Sequence, residues 1–288
     1  MAFTQKLINI AFTLANGQFE GGGNTANLEG LRISARIDGS GGQSMQNATA
    51  AIWGMPLTLM NQLSMIGNKF FNVSPQNTIS IMAGDSPSNM QLAFKGIIKS
   101  AFADASSQPQ VAFRVDAMPG AAADVMPGNS GGVSGGLDVA KKMNALATQA
   151  GWNFENFGVN ITLNKQYLWG SVLGQIRHLA RIAPCEFSVD RDTLRIWVTG
   201  QGPSSSVTIA PPDMIGYPTF SQSYVFVKTL FNPDFRLGNI VTVQSQLTAA
   251  TGKWQINHVT HEIESNIPKG KWFSTISGMP FTAQDPSN

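Results

Sequence analysis

The segment Gly128-Asn129-Ser130-Gly131-Gly132 has the residue types and spacing that come nearest to a catalytic motif in this chain. It matches the Gly-x-Ser-x-Gly pattern that presents a nucleophilic serine in hydrolases, and also the serine loop of trypsin-like proteases. Trypsin-like enzymes place their His and Asp before the Ser, whereas the first histidine here is His178. The hydrolase pattern needs a strand that ends at the Ser, and no apolar strand pattern precedes Ser130. We therefore predict a Gly/Ser connector and no nucleophile.

His258, His261 and Glu262 form the second candidate, because imidazole and carboxylate groups bind metal ions. Their His-x-x-His-Glu spacing is neither the helical zinc-protease motif nor its inverted form. On a regular strand the two histidines point to opposite faces, so they cannot bind one ion. A β-bulge between them would change this parity, which keeps a metal site open as an alternative. We predict a structural or interface role for both histidines and no metal ligand.

Glycine clusters, which can cradle phosphates, occur three times. They are Gly21–Gly23, Gly39–Gly42 and Gly131–Gly136. None connects a predicted strand to a helix as dinucleotide sites do, and none is followed by Gly-Lys-Ser/Thr. The sequence therefore predicts no cofactor.

Charged residues offer two further candidates. Arg32 and Arg36 share one face of a predicted strand and could contact phosphates, but such a pair is more often solvated or faces a partner. Asp190 and Asp192 fall in a predicted hairpin turn, which disfavours a glycosidase pair. We predict no catalytic residue.

The composition excludes several classes of protein. With 288 residues, 42% of them hydrophobic, the chain can form more than one folded core. Only 12% of the residues are charged, against about 25% in a typical soluble domain, which suits a surface buried against partners. The net charge of +2 is too small to grip duplex DNA. Cys185 is the only cysteine, so a reduced cytosol suffices for folding.

No segment is predicted to insert stably into a membrane. Lys6 followed by Leu7 to Ala15 faintly imitates a signal peptide, but its apolar residues alternate as in a first strand. No stretch approaches the ~18 apolar residues that a membrane helix requires.

Residues 1–116 are predicted to form a small antiparallel β domain. Strict alternation marks a strand from Leu31 to Asp38, and further strands are expected at 48–53, 79–82, 90–98 and 111–116. A short helix is expected from Leu57 to Ile66, with Gly67-Asn68 as its stop. Residues 117–136 are rich in Gly, Pro and Ala, which predicts a connector, either mobile or wrapped over a neighbour.

Residues 137–200 are predicted to form an α+β insert domain. A helical stripe runs from Val139 to Ala150, and Ser171 is the expected N-cap of a second helix. Phe187 and Val189 are then expected to pair with the strand 194–198 in a hairpin.

Residues 201–288 return to β structure. Trp254 and Ile256 have one parity along the predicted strand. Val259 and Ile263 have the other, so a regular strand cannot bury all four side chains. We predict a β-bulge near Asn257 or His258 that reconciles them.

The order of these elements resembles that of the baseplate hub proteins of contractile-tailed phages. In the first half the resemblance rests on Ile52-Trp53-Gly54, on the helix from Leu57 and on Phe94-Lys95-Gly96-Ile97-Ile98. In the second half it rests on four ordered motifs, which are Leu230-Phe231-Asn232-Pro233, Leu237-Gly238-Asn239-Ile240-Val241, Gly252-Lys253-Trp254 and Gly270-Lys271-Trp272. The N-terminal part is also similar to type VI secretion spike proteins.

The resemblance implies a mainly β (α+β) fold in which two related tube-type antiparallel β-barrel domains flank the insert. It implies a structural virion protein of the tail baseplate, assembled in the host bacterial cytoplasm, and not an enzyme. A homotrimer would join the tail tube protein to the central spike protein, contact other baseplate proteins and adapt six-fold to three-fold symmetry. DNA would only pass through its lumen.

Two other functions remain open at this point. Trp53, Trp254 and Trp272 could serve as stacking platforms in a receptor- or glycan-binding tail protein, unless they are core residues. A cell-wall hydrolase that uses Ser130 is the more distant alternative.

Overall fold

A computed structural model describes residues 5–41, 45–65, 76–221 and 223–281. Within these ranges the chain forms eighteen strands and three α-helices, which confirms the predicted mainly β class. None of the helices found there is long and apolar enough to cross a membrane.

The first part of the chain forms seven strands and one helix. The strands are β1 (Leu7–Thr13), β2 (Thr25–Leu28), β3 (Arg32–Ser40), β4 (Asn47–Trp53), β5 (Thr78–Gly84), β6 (Met90–Asp104) and β7 (Ala112–Met118). Helix α1 (Leu57–Leu63) follows β4 and ends three residues earlier than predicted. The predicted end at Ile66 and the stop at Gly67-Asn68 lie outside the described residues. Strand β6 runs beyond the predicted 90–98 because it pairs with β7 as far as Asp104.

The insert contains two helices, a small mixed sheet and a two-stranded ribbon. Its elements are β8 (Gly131–Asp138), α2 (Val139–Gln149), β9 (Asn153–Phe157), β10 (Thr162–Leu168), α3 (Val172–Ile182), β11 (Cys185–Asp190) and β12 (Thr193–Val198). The predicted hairpin is present, with Phe187 opposite Ile196. Strand β8 lies partly in the segment predicted as a connector, where it pairs with β10.

The last part of the chain forms six strands, which are β13 (Ser204–Ile209), β14 (Thr219–Phe220), β15 (Val225–Leu230), β16 (Ile240–Val243), β17 (Gly252–Ser265) and β18 (Trp272–Pro280). The register of β17 against β18 shifts between Ile256 and His258, which confirms the predicted bulge. The four apolar residues whose parity required it are all buried, namely Trp254, Ile256, Val259 and Ile263.

Strands from both ends of the chain form one sheet, in the order β14-β15-β18-β17-β3-β4-β7-β6-β5-β1-β2. Strand β16 pairs with the first half of β17, and β13 pairs with β16. The junction between the two ends is the antiparallel pairing of β17 with β3, which extends over eight residue pairs from His258↔Ser40 to Ser265↔Ile33.

The prediction of two closed β-barrels is not confirmed. The strand order of the described residues is an open path. The strands at its two ends, β14 and β2, each pair with one neighbour, and no pairing joins them to each other. Ladder hydrogen bonds on both sides of every strand would be needed to close a barrel. The chain instead forms an extended wall that continues from one end of the sequence into the other.

Two sets of six strands within this wall have the same order. The first unit is β3-β4-β7-β6-β5-β1, and the second unit is β14-β15-β18-β17-β16-β13. Each strand of one unit has the same rank along the chain as its counterpart. One pairing differs, because β1 and β5 are antiparallel whereas β13 and β16 are parallel. The long strands β6 and β17 also share a bulge, which lies between Ile98 and Ser100 in β6.

Three hydrophobic clusters underlie this architecture. One is built from the first unit and is completed by Ile263 and Trp272 of the second. Another belongs to the insert and packs α2 and α3 against β11 and β12. The third fills the second unit around Val259 and Ile276. The two units therefore share core residues as well as a strand junction.

Ser171 caps α3 as predicted, since its Oγ accepts a hydrogen bond from the Gly174 N–H at 3.1 Å. We expect Ser171→Ala to lower the free energy of unfolding by about 1 kcal/mol, because a backbone donor of the first turn loses its partner. Urea unfolding followed by circular dichroism measures the change. Thr148→Ala is the control, because the Thr148 hydroxyl only donates to the Asn144 carbonyl inside α2. An equal loss in both variants would contradict the capping assignment.

Candidate assembly surface

Ser130 has none of the surroundings of a nucleophile. It is exposed, and its Oγ lies 3.4 Å from the carbonyl oxygen of Gly128, to which it donates. Strand β8 begins at the next residue, so a strand follows the serine where the hydrolase motif requires a helix. The local geometry is that of a turn into a ribbon.

His258 and His261 point to opposite faces of β17. The bulge precedes both residues, so the parity between them is that of a regular strand. His258 Nδ1 is 2.9 Å from Ser40 Oγ, whereas His261 is buried with its Nδ1 2.8 Å from Ser274 Oγ. In the part of the chain that the structure describes, no three metal-binding side chains lie together.

Burial holds the pKa of His261 well below its usual range, at about 4. The side chain packs edge-on against the ring of Phe231, with 5.3 Å between the ring centroids. The nearby charge of Arg191 lowers the pKa further, while Asp190 acts in the opposite direction. His261 is therefore a neutral core residue at physiological pH.

Asp190 and Asp192 lie at the turn of the β11–β12 hairpin, where each makes a different contact. Asp190 is buried and accepts a hydrogen bond from Nε of Arg236. Asp192 forms a surface ion pair with Lys95 of β6 at 2.6 Å. The turn thus links the insert to both units of the wall.

Arg195 of β12 lies at the centre of a buried polar cluster that we did not predict from the sequence. Its guanidinium donates to Glu155 Oε2 at 3.2 Å, to the Leu237 carbonyl at 3.2 Å and to Asn239 Oδ1 at 2.8 Å. Burial lowers its pKa to about 10, and the nearby Arg236 contributes in the same direction. An arginine inside a strand of otherwise apolar residues, Leu194 to Val198, was the signal in the sequence for this cluster.

One face of the wall is polar and open. We define the open face by the side chains at even positions of β17 from His258 to Glu264 and at even positions of β3 from Ser34 to Ser40, which lie opposite the core residues. Three carboxylates, of Asp38, Glu262 and Glu264, lie on it beside one arginine: Arg36 Nε is 2.7 Å from Asp38 Oδ2 and its Nη1 is 3.6 Å from Glu262. Lys271 Nζ also lies 2.7 Å from Glu262.

The two arginines predicted to be solvated or to face a partner both have neighbours within the chain. Arg36 belongs to the ion-pair network of the open face. Arg32 stacks over the Trp53 ring at 4.4 Å and donates to Gln110 at 3.3 Å.

Exposed apolar side chains form their largest group at the β14–β15 end of the wall, and others lie elsewhere, among them Trp169 of the insert at 71% exposure. On β6, Phe102 is 47% exposed. At the β14–β15 end, the exposed residues are Ile215, Tyr217, Phe220, Phe226 and Leu230. Such concentrations of apolar surface mark contact sites for other proteins. Of the three tryptophans considered as stacking platforms, Trp254 and Trp272 are buried, and Trp53 is partly buried with Arg32 over its ring.

Comparison with solved structures finds the same fold in phage tail proteins. The 43 kDa tail protein of prophage MuSo2 from Shewanella oneidensis superposes with a TM-score of 0.63 at 9% identity, covering 96% of this chain and 97% of that one. A tail protein from Neisseria meningitidis MC58 gives 0.63 at 10% identity, with the same coverage. At these identities the likeness establishes the fold alone.

A third similar structure comes from a secretion system. The E. coli c3393 protein is described as a component of the type VI secretion system with structural similarity to the T4 bacteriophage tail proteins gp27 and gp5. It gives a TM-score of 0.59 at 9% identity, covering 88% of this chain and 74% of that one. No curated protein matches the sequence. The model of the family described as Baseplate hub gp41 matches residues 7–270, which is most of the chain, and the protein therefore belongs to this baseplate hub family.

Proposed function

We propose that three copies of this protein form the hub of the tail baseplate, where they join the tail tube protein to the central spike protein and contact other baseplate proteins. The hub is a structural component of the virion, without catalysis, and assembles in the host bacterial cytoplasm. Family membership supports the structural role. The number of copies, the partners and the place of assembly are the proposal.

The repeated strand order within the chain carries the proposal. Each copy contributes two units of six strands, and the β17–β3 ladder fixes one unit beside the other. Three copies would then contribute six similar units, so a three-fold assembly could meet a six-fold tube on one side and a three-fold spike on the other. Closure of such a ring also removes the strand edges that a single chain leaves exposed.

The open face of the wall is the surface that we assign to the lumen of the ring. Its one arginine, Arg36, is already paired with Asp38 and Glu262, and carboxylates outnumber cations on it. Such a surface has little counterion release to gain from phosphates, so it would let DNA pass without holding it.

The domain limits follow from the same proposal. We take 1–116 and 201–288 as the two tube-type domains, 137–200 as the insert domain and 117–136 as the connection between them. Barrel closure would be a property of the ring and not of either domain.

Mass photometry of the purified protein tests the proposal. We expect a species of three times the chain mass of 30.8 kDa, and a reconstruction of the tail should place three copies where the tube ends. Ser130→Ala should leave the assembly and any cell-wall activity unchanged. A stable monomer that binds sugar, or an activity lost in Ser130→Ala, would contradict the hub.

A further inference from the structure

The β17–β3 junction has a defined geometry that a second pair of edges in the molecule can reproduce. The first half of β17 pairs with β16 through Gly252–Gln255. After the bulge at Asn257, β17 pairs instead with β3, beginning at His258. The bulge therefore marks the point where one neighbour of the strand is replaced by another.

Strand β6 has the same construction in the first unit. Its first half pairs with β5 up to Ile97↔Thr78, and its bulge falls between Ile98 and Ser100. Beyond the bulge, residues 100–104 pair with β7 on one side, and no strand of the described residues pairs on the other. When the bulges are aligned, residues 100–104 of β6 correspond to 258–262 of β17.

Strand β14 corresponds in the same way to β3. Residues that lie opposite each other on successive strands give the alignment. In the first unit, Ser100 lies opposite Asp116, which lies opposite Thr49, which lies opposite Arg36. In the second unit, His258 lies opposite Ser277, which lies opposite Phe226, which lies opposite Thr219. Thr219 is thus the counterpart of Arg36, and Phe220 is the counterpart of Ile37. In the junction within the chain, Ile37 faces His261, whose counterpart in β6 is Ala103.

We propose, on the basis of the hub function above, that neighbouring copies join by strand addition: the second half of β6 in one copy pairs antiparallel with β14 of the next, and Ala103 faces Phe220. This intermolecular junction repeats the β17–β3 junction. The partner at both edges, the second half of β6 and β14, is therefore a second copy of the same chain.

The backbone groups at both positions point toward the proposed partner. The Ala101 carbonyl accepts from Met65 N at 2.8 Å on the side away from β7, so the groups of Ala103, two residues later, point to that same edge. Ser221 N donates to the Tyr224 carbonyl inside the β14–β15 hairpin, so its neighbour Phe220 directs its groups to the outer edge. Because the Ala101 carbonyl already accepts a hydrogen bond from Met65, the ladder between the two copies is centred on Ala103.

Side-chain burial gives a second, independent argument. His261 and Ile37 lie opposite each other in the junction within the chain and are buried there, with exposed fractions of 2% and 0%. Their counterparts Ala103 and Phe220 are both exposed, and Phe220 is 45% exposed. Pairing of the copies would cover both residues, and an aromatic ring beside a small side chain can pack closely across two strands.

Cysteine cross-linking of the full chain tests this junction. We expect Ala103→Cys/Phe220→Cys to give covalent trimers on a non-reducing gel after mild oxidation, because directly paired residues have the Cα separation that a disulfide requires. Six strands lie between β6 and β14 in the sheet, so the same cysteines cannot join within one chain. The native Cys185 is buried. Ala103→Cys/Ala145→Cys is the control and should give no covalent trimer, because Ala145 is exposed on α2 of the insert and belongs to neither edge.

A second variant measures the apolar contact without new cysteines. Phe220→Asp should weaken trimer formation at least ten-fold in mass photometry, whereas Ile182→Asp, which changes a 38% exposed apolar residue at the end of α3 in the insert, should not. A trimer that forms without the cross-link and tolerates Phe220→Asp would overturn the junction and leave the hub intact. A wild-type chain that stays monomeric would overturn both.

Discussion

Replacing Asp190 by alanine is expected to lower the free energy of unfolding by about 3–5 kcal/mol. The Asp190 carboxylate is 2% exposed and is the acidic partner of two guanidinium groups, from Arg236 and Arg191. Removing it leaves two cations largely buried with no counter-charge between them. The cost is therefore that of uncompensated charge and not only of a lost hydrogen bond. Urea unfolding at neutral pH measures the difference.

Asp192→Asn is the matched control, two residues away in the same turn, because asparagine removes the charge but tolerates the left-handed backbone angle of Asp192. Asp192 pairs with Lys95 at 2.6 Å, but both side chains are more than a third exposed, Asp192 at 34% and Lys95 at 42%. Water screens such a pair, so the expected loss is under about 1 kcal/mol. Similar losses in the two variants would mean that the turn, and not the buried carboxylate, stabilises the insert against the wall.

The turn also illustrates how far local sequence signals reach. The hairpin was predictable because apolar residues alternate on both sides of Asp190 to Thr193. Its conformation was not, since Arg191 and Asp192 both adopt left-handed backbone angles, with φ of 50° and 57°. Such angles cost about 1–2 kcal/mol per residue and normally select Asn-Gly. Here tertiary contacts, such as that of Arg191 with the Pro233 carbonyl, hold the turn.

The bulge in β17 was predictable for a different reason. Trp254 and Val259 are both apolar with opposite parity, and burial of both requires one extra residue between them. The pairing of β17 with β3 that follows the bulge could not be predicted from the sequence, because it joins residues more than 200 positions apart along the chain. The same holds for Arg195, whose partners lie on another strand and in the loop before β16.

These two limits explain why the barrel prediction is not confirmed for a single chain, although the mainly β class was predicted correctly. Alternation fixes which face of each strand is buried, and it does so locally. Whether a sheet closes on itself or continues into a neighbour depends on its edges, which have no periodic signal. Phe220 is an example, since an aromatic residue in a two-residue edge strand gives the same sequence pattern whether the sheet closes into a barrel or continues into a neighbouring chain.

The stability of the protein is expected to fall by roughly 2–3 kcal/mol between pH 7.5 and pH 4.5 through His261 alone. In the folded protein burial lowers the pKa of His261 to about 4, whereas the unfolded chain has the ordinary value of 6.5. Between these values the unfolded chain binds a proton that the folded protein does not. The stabilisation is therefore complete above about pH 6.5 and is lost as the pH falls toward 4.

His261→Gln isolates this effect, because glutamine can still hydrogen-bond to Ser274 Oγ but does not titrate. Its free energy of unfolding, measured in urea at both pH values, should depend on pH less steeply than that of the wild type by the same 2–3 kcal/mol. Every other titratable group is common to the wild type and the variant, so the comparison cancels its contribution. Parallel profiles for wild type and His261→Gln would show that His261 is protonated in the folded protein, contrary to its burial in the core between β17 and β18.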